Sequence, residues 1–204
     1  MATPKDKTRT KADQDKELQI MSFESAKYWE RWLARNHESS NGVWLEIQKQ
    51  SSGRPSLTYA EALDVALCYG WIDGQKKPND DRSWLQRFTR RGPKSRWSKK
   101  NTEHVERLTK AGKMQPSGLA AAESAKKDGL WETAYDSQGN ATIPEDFLEA
   151  LGRDKKAEAF FKSLNKANLY SITYRLQTAK KPETREKRMR EILEMMAKGK
   201  KFHP

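Results

Sequence analysis

Apolar and polar residues alternate with a period of two in only one part of this chain, and that confines where a sheet can form. After the turn signal Asn41-Gly42, the residues Val43, Leu45 and Ile47 alternate with Trp44, Glu46 and Gln48, and Ser51-Ser52-Gly53-Arg54-Pro55 closes the run. "WIDGQKK" and "SWLQRFTRR" read as two further short strands joined by the polar Pro78-Asn79-Asp80-Asp81. In the second of these, Trp84, Gln86 and Phe88 share one face while Leu85, Arg87, Thr89 and Arg91 share the other. The expectation is an α+β fold, a small antiparallel sheet packed with helices and followed by a C-terminal helical module.

The helical segments announce themselves by spacing and caps. In "SFESAKYWERWLARNHE" the residues Phe23, Ala26, Trp29 and Leu33, with Trp32 alongside, form an aromatic face behind a Ser22 cap. Thr58 with Glu61 three residues on predicts a capping box opening "YAEALDVALC", with Gly70 as the stop. From Ser98 onward everything reads as helix. Ser98, Pro116, Pro144, Asp154 and Pro182 mark starts, and Gly112, Gly129 and Gly199 mark ends. Ala157, Phe160, Phe161 and Leu164, then Leu169, Ile172 and Leu176, then Met189, Ile192, Leu193 and Met196 should line a core, the methionines included. Residues 1–19, nearly all charged or small and polar, read as a disordered leader, 20–141 as the α+β domain and 142–204 as the helical module.

Composition narrows the function. The chain carries 40 Lys and Arg against 28 Asp and Glu, a net charge of +12, which favours polyanion partners. A single cysteine, Cys68, excludes an intramolecular disulfide and sits in an apolar run where burial is expected. No secretory signal and no run of about 18 apolar residues is evident, so no membrane span and a reducing compartment, cytoplasm or nucleus, are expected. His37, His104 and His203 are far apart and have no metal-ligand spacing. His104, between Glu103 and Glu106, reads as part of a solvated helix face. No nucleophile elbow, P-loop or dinucleotide fingerprint occurs, and neither a catalytic residue nor a cofactor is expected.

The most suggestive stretch is "FTRRGPKSRWSKKN". Arg87, Arg90, Arg91, Lys94, Arg96, Lys99 and Lys100 crowd together without an acid, and Trp97 stands among them. Cations displace counterions from a phosphate backbone, aromatic rings stack on exposed bases, and a helix N-terminus near Ser98 adds amide donors. These residues are the expected nucleic-acid or polyanion site. Two alternatives stand beside it. One is a stress-tolerance adaptor binding a protein partner through aromatic residues near Trp131 and Tyr135. The other is a small-ligand pocket, or an unrecognised enzyme, built on Trp44, Tyr69, Trp71 and Asp73. The basic run "AKKPETREKRMR" has acids at i+3 and i+4 and reads as a salt-bridged helix face.

Together "GVWLEIQKQSSG", "YAEALDVALCYGWIDGQ", "RFTRRGPKSRWSKKN", "AKKDGLWETAY", "IPEDFLEAL" and "TAKKPETREKRM" resemble the YdeI/OmpD-associated, or bacteriocin-protection, family over about Phe23 to Lys200. That family is in turn similar to CyaY-like and YjbR-like proteins. The resemblance implies a small α+β domain with a C-terminal helical module and a role in protection against bacteriocins or cationic peptides. The YjbR-like similarity implies DNA binding. The acidic helix through which CyaY-like proteins bind iron has no counterpart in the mixed-charge "SFESAKYWERWLARNHE", so no iron site is expected.

Overall fold

The structure is a computed structural model, and it describes residues 18–54, 56–137 and 139–204. The expected leader lies, up to residue 17, outside the described residues. Two compact units make up the chain. One comprises the described residues of Met1–Ser95 with His104–Ser124, the other Arg96–Glu103 with Ala125–Pro204. Residues 96–103 and 125–141 thus fall with the C-terminal helices, not with the sheet.

The first unit is built on four strands, β1 (Ile20–Ser22), β2 (Val43–Gln48), β3 (Trp71–Pro78) and β4 (Ser83–Arg90), in the order β1-β2-β4-β3. The three strands expected from alternation are present, and their pairings are antiparallel. The fourth, β1, runs parallel to β2 with Ile20 beside Trp44, so the sheet is mixed. Three residues are too few to show a period, and sequence alone does not reveal this strand. Ser22, expected as a helix cap, ends β1 instead. The helix α1 (Ala26–Asn36) takes its N-cap position at Ser25.

Val43, Leu45 and Ile47 pair with Phe88, Gln86 and Trp84, which puts the expected apolar residues of two strands on one sheet face. Helix α1 packs there. Trp29, fully buried, lies 5.8 Å from Phe88 and 6.2 Å edge-on from Trp71. Its indole N–H donates to the Ala62 carbonyl at 3.1 Å, which fastens α1 to α2 (Tyr59–Cys68). The predicted capping box of α2 is formed: the Glu61 amide donates to Thr58 Oγ1 and the Thr58 amide to Glu61 Oε2. A bulge interrupts the β3–β4 register between Asp73 and Lys76. The buried Gln86 amide nitrogen donates to the Gly74 and Gln75 carbonyls there, satisfying backbone acceptors that the ladder leaves over.

Helices α3 (Lys99–Lys110) and α4 (Pro116–Lys127) follow, with Gly112 and Gly129 in the left-handed region at their ends. In the second unit, α5 (Glu145–Leu151), α6 (Lys155–Lys162), α7 (Lys166–Gln177) and α8 (Pro182–Ala197) enclose a core of Phe147, Leu151, Ala157, Ile172, Leu176, Ile192 and Met196. Phe160, Phe161, Leu164, Met189 and Leu193 pack against it, so the methionine stripe serves the interior. Asp154 caps α6 by accepting from the Lys156 and Ala157 amides. Among the described residues no helix is long and apolar enough to cross a membrane.

Candidate functional site

The basic stretch divides between the two units after Ser95. In the first unit, Arg87 and Arg91 are half-buried and engaged with neighbours. Arg90 is exposed and donates to the Glu38 carbonyl at 3.1 Å, just beyond the C-terminus of α1. Lys94 lies exposed in the turn closed by Ser95 and Gly92. In the second unit, Arg96 donates to the Thr178 carbonyl, Lys99 forms a 2.7 Å ion pair with Asp136, and Lys100 is exposed. Burial pushes the Asp136 carboxyl up, but hydrogen bonds from Lys99 and Gln177 outweigh it and leave its pKa below the usual value. Trp97 corrects the sequence reading most sharply. It is 3% exposed, with its ring 4.9 Å from that of Trp131, so no face is left for a base. The apolar spacing around it gave no sign of this, because its neighbours in sequence are all polar.

The expected small-ligand pocket is not assembled. Trp44 alternates with Val43 and Leu45, and therefore lies on the sheet face opposite Asp73, whose register partner Phe88 also pairs with Val43. Trp71 is wholly buried against Trp29 and donates its indole N–H to the His37 carbonyl. Tyr69 is buried beside His37, and the Lys77 ammonium stands 4.0 Å over the Trp44 ring. Asp73 accepts from the Tyr59 hydroxyl at 2.8 Å. Trp131 and Tyr135 are half-buried, Trp131 against Trp97 and Tyr135 edge-on to Tyr174, so neither stands out as a free aromatic patch.

His104 is also placed differently. It is not on a solvated face but 2.6 Å from Asp64 of α2 through Nδ1, and Arg107 donates to both Asp64 oxygens. Burial raises the Asp64 pKa, and those two partners more than reverse it. Cys68, one turn further along α2, is buried as expected, and burial pushes its thiol up to about 11. Among the described residues no group of three or more His, Cys, Asp or Glu gathers to hold a metal ion.

An open feature of the first unit is a cleft of about 540 Å³ between the end of β1 and the outer face of α1. Ser22, Phe23, Glu24, Tyr28, Arg31, Trp32, Arg35 and Asn36 line it. Positions 28, 31, 32 and 35 follow the i, i+3, i+4, i+7 rule and so share one helical stripe, set against the Trp29/Leu33 stripe that faces the core. Trp32 is the floor. Its inner face stacks on Trp29 at 5.3 Å and 13°, and Trp71 meets it edge-on at 5.8 Å. The Asn36 amide nitrogen donates to the Trp32 carbonyl at 2.7 Å. Arg31 rests over the Tyr28 ring, its guanidinium carbon 5.6 Å from the centroid. Neither Arg31 nor Arg35 has a carboxylate within ion-pair distance among the described residues, and both are exposed. A stacking surface held from behind, with two guanidinium groups beside it, suits a flat ligand that carries negative charge.

Comparison with known proteins finds two different families along the chain. Residues 140–199 match the family described as bacteriocin-protection, YdeI or OmpD-associated. Residues 21–121 match a different one, a domain of unknown function (DUF8412), and that match contains every cleft residue. The YdeI/OmpD-associated match falls on the helical module expected over 142–204 and supports the family resemblance there; the motifs between Val43 and Asn101 belong to the other match. No curated protein and no solved structure matches, so likeness to CyaY-like or YjbR-like folds is not shown. The cleft itself was readable in part. Tyr28, Arg31, Trp32 and Arg35 stand at helical spacing in the sequence, but a stripe with two tryptophans near it looks like core until the helix phase is known.

Proposed function

We propose that the chain is a binding protein for nucleic acid or another polyanion, that it acts through the cationic side of the first unit, and that its role is related to bacteriocin protection. The observation that carries the binding reading is the pair Arg31 and Arg35, exposed on one face of α1 without carboxylate partners among the described residues. The stripe has a continuation, since Arg90 of β4 reaches the Glu38 carbonyl beyond the end of the same helix. The overall charge of +12 adds a field that draws polyanions toward any such face. The match of 140–199 to the bacteriocin-protection family supports the biological context.

The test is retention of the full chain on heparin and on DNA at low and raised salt. Retention should weaken steeply with salt, as counterion release requires. Arg31→Glu with Arg35→Glu should elute distinctly earlier from both matrices. Equal retention of that variant, or no retention of the parent chain at low salt, would end the reading.

A further inference from the structure

We infer that the cleft on α1 takes one unpaired base of a single-stranded nucleic acid, stacked on the outer face of Trp32, with its flanking phosphates on Arg31 and Arg35. This rests on the polyanion reading and narrows it to one class of ligand.

Three features favour a base over a plain anion. First, Trp32 is immobilised from behind by Trp29 and from the side by Trp71, so the platform is in place before a ligand arrives. A ring already fixed loses little side-chain entropy on stacking. Second, the lining is not uniformly cationic. Glu24 stands in the same cleft as Arg31 and Arg35. A carboxylate repels phosphate or sulfate but accepts hydrogen bonds from ring N–H and exocyclic amino groups. Ser22 and Asn36 add further hydrogen-bonding groups. The ligand that satisfies all of these is flat, bears donors on its edge and carries negative charge on either side. A nucleotide within a strand has that distribution. Third, the volume of about 540 Å³ lies within the range of pockets that hold molecules of nucleotide size.

A duplex does not fit the same role. Its bases are stacked on both faces, and none can reach Trp32 without being unpaired and flipped out, which weakens binding. The preference should therefore run from single strand to duplex, and from a strand with bases to one without.

The experiment measures binding of the full chain to a fluorescein-labelled thymidine oligonucleotide, to an abasic oligonucleotide of equal length and charge, and to the corresponding duplex. One stacked base contributes about 1–3 kcal/mol, so the base-bearing single strand should bind at least about fivefold tighter than the abasic strand. Trp32→Ala should abolish that difference, and Trp32→Phe, which keeps a ring at the position, should retain part of it. Unchanged binding of the abasic strand by Trp32→Ala shows that the loss in this variant is not loss of folding. Equal binding of the abasic strand, or a duplex that binds as tightly as the single strand, overturns the inference while leaving polyanion binding intact. A thymidine mononucleotide that binds as tightly as the oligonucleotide overturns the assignment to a strand. Absence of binding to all four probes and to heparin sinks both readings together.

Discussion

Trp29 and Trp32 stack with their ring centroids 5.3 Å apart and their planes 13° from parallel, one ring wholly buried and the other half-buried at the floor of a cleft. Successive turns of α1 thus divide two roles between like residues. Trp29 is the fixed part, held by Phe23, Phe88, Trp71 and its hydrogen bond to Ala62.

From this division, Trp29→Ala should remove about 3–5 kcal/mol of stability, as expected for deleting a large ring from a closed core. Trp32→Ala should cost less, about 1–2 kcal/mol, because that ring is only partly buried. Chemical denaturation of the two variants checks the order. A Trp32 variant as unstable as the Trp29 variant would mean that the outer ring is a core residue and not a platform.

A second prediction concerns helix packing. Gly118, near the start of α4, lies against the last turn of α2 so closely that a β-carbon would stand 2.1 Å from the Cys68 carbonyl oxygen and 2.7 Å from its carbon. Backbone cannot move aside as a flexible side chain can. Gly118→Ala should therefore destabilise the chain by about 1–3 kcal/mol or more, although alanine is the better helix former. Thermal unfolding decides it; an unchanged or raised midpoint would contradict the close approach.

How much of this was legible beforehand follows from which residues carry a local signal. The capping box at Thr58 and Glu61, the antiparallel strands and the Met189/Ile192/Met196 stripe each depend on spacing within one element, and each is where the sequence puts it. The parallel strand Ile20–Ser22 has no such pattern, since its partner β2 is remote in sequence and its own length is three residues. Long-range pairing hides the rest. Lys99 and Asp136, Arg96 and Thr178, or Asp64 and His104 meet only through the fold, so a run of uncompensated cations in the sequence is partly compensated in space. Trp97 failed as a base-stacking residue for the same reason. Its partner Trp131 lies in another segment.

A third prediction follows from Cys68. Burial pushes its thiol up to about 11, and the nucleophilic form of cysteine is the thiolate. The native chain should react with a thiol reagent at neutral pH far more slowly than the same chain in denaturant. The comparison is a simple absorbance time course. Rapid labelling of the folded protein would show that the residue is accessible and would remove the case for an inert, structural cysteine.

The last prediction concerns pH and the cluster of Asp64, His104 and Arg107. Burial alone would raise the Asp64 pKa, but the hydrogen bonds from Arg107 and His104 bring it below the ordinary carboxylate value of 3.8. A carboxyl group whose pKa is lower in the folded than in the unfolded chain binds its proton more readily once unfolded. Its contribution to stability is then complete above the ordinary value and disappears as pH falls from about 3.8 through the lower, folded-state pKa. Other carboxylates follow the same course, Asp146 with Arg185 among them, so the total curve does not isolate this one. The difference between the parent chain and Asp64→Asn does. At neutral pH asparagine loses the charge-assisted bonds to Arg107 and His104, and the cost should be roughly 1 kcal/mol, kept small because Arg107 is largely exposed. Below the folded-state pKa the aspartic acid is neutral too, and the two proteins should approach one another in stability. Urea midpoints measured in steps from neutral to acid pH give the comparison. A gap that stays constant into acid would show that packing, and not the ionised carboxylate, is what Asp64 contributes between α2 and α3.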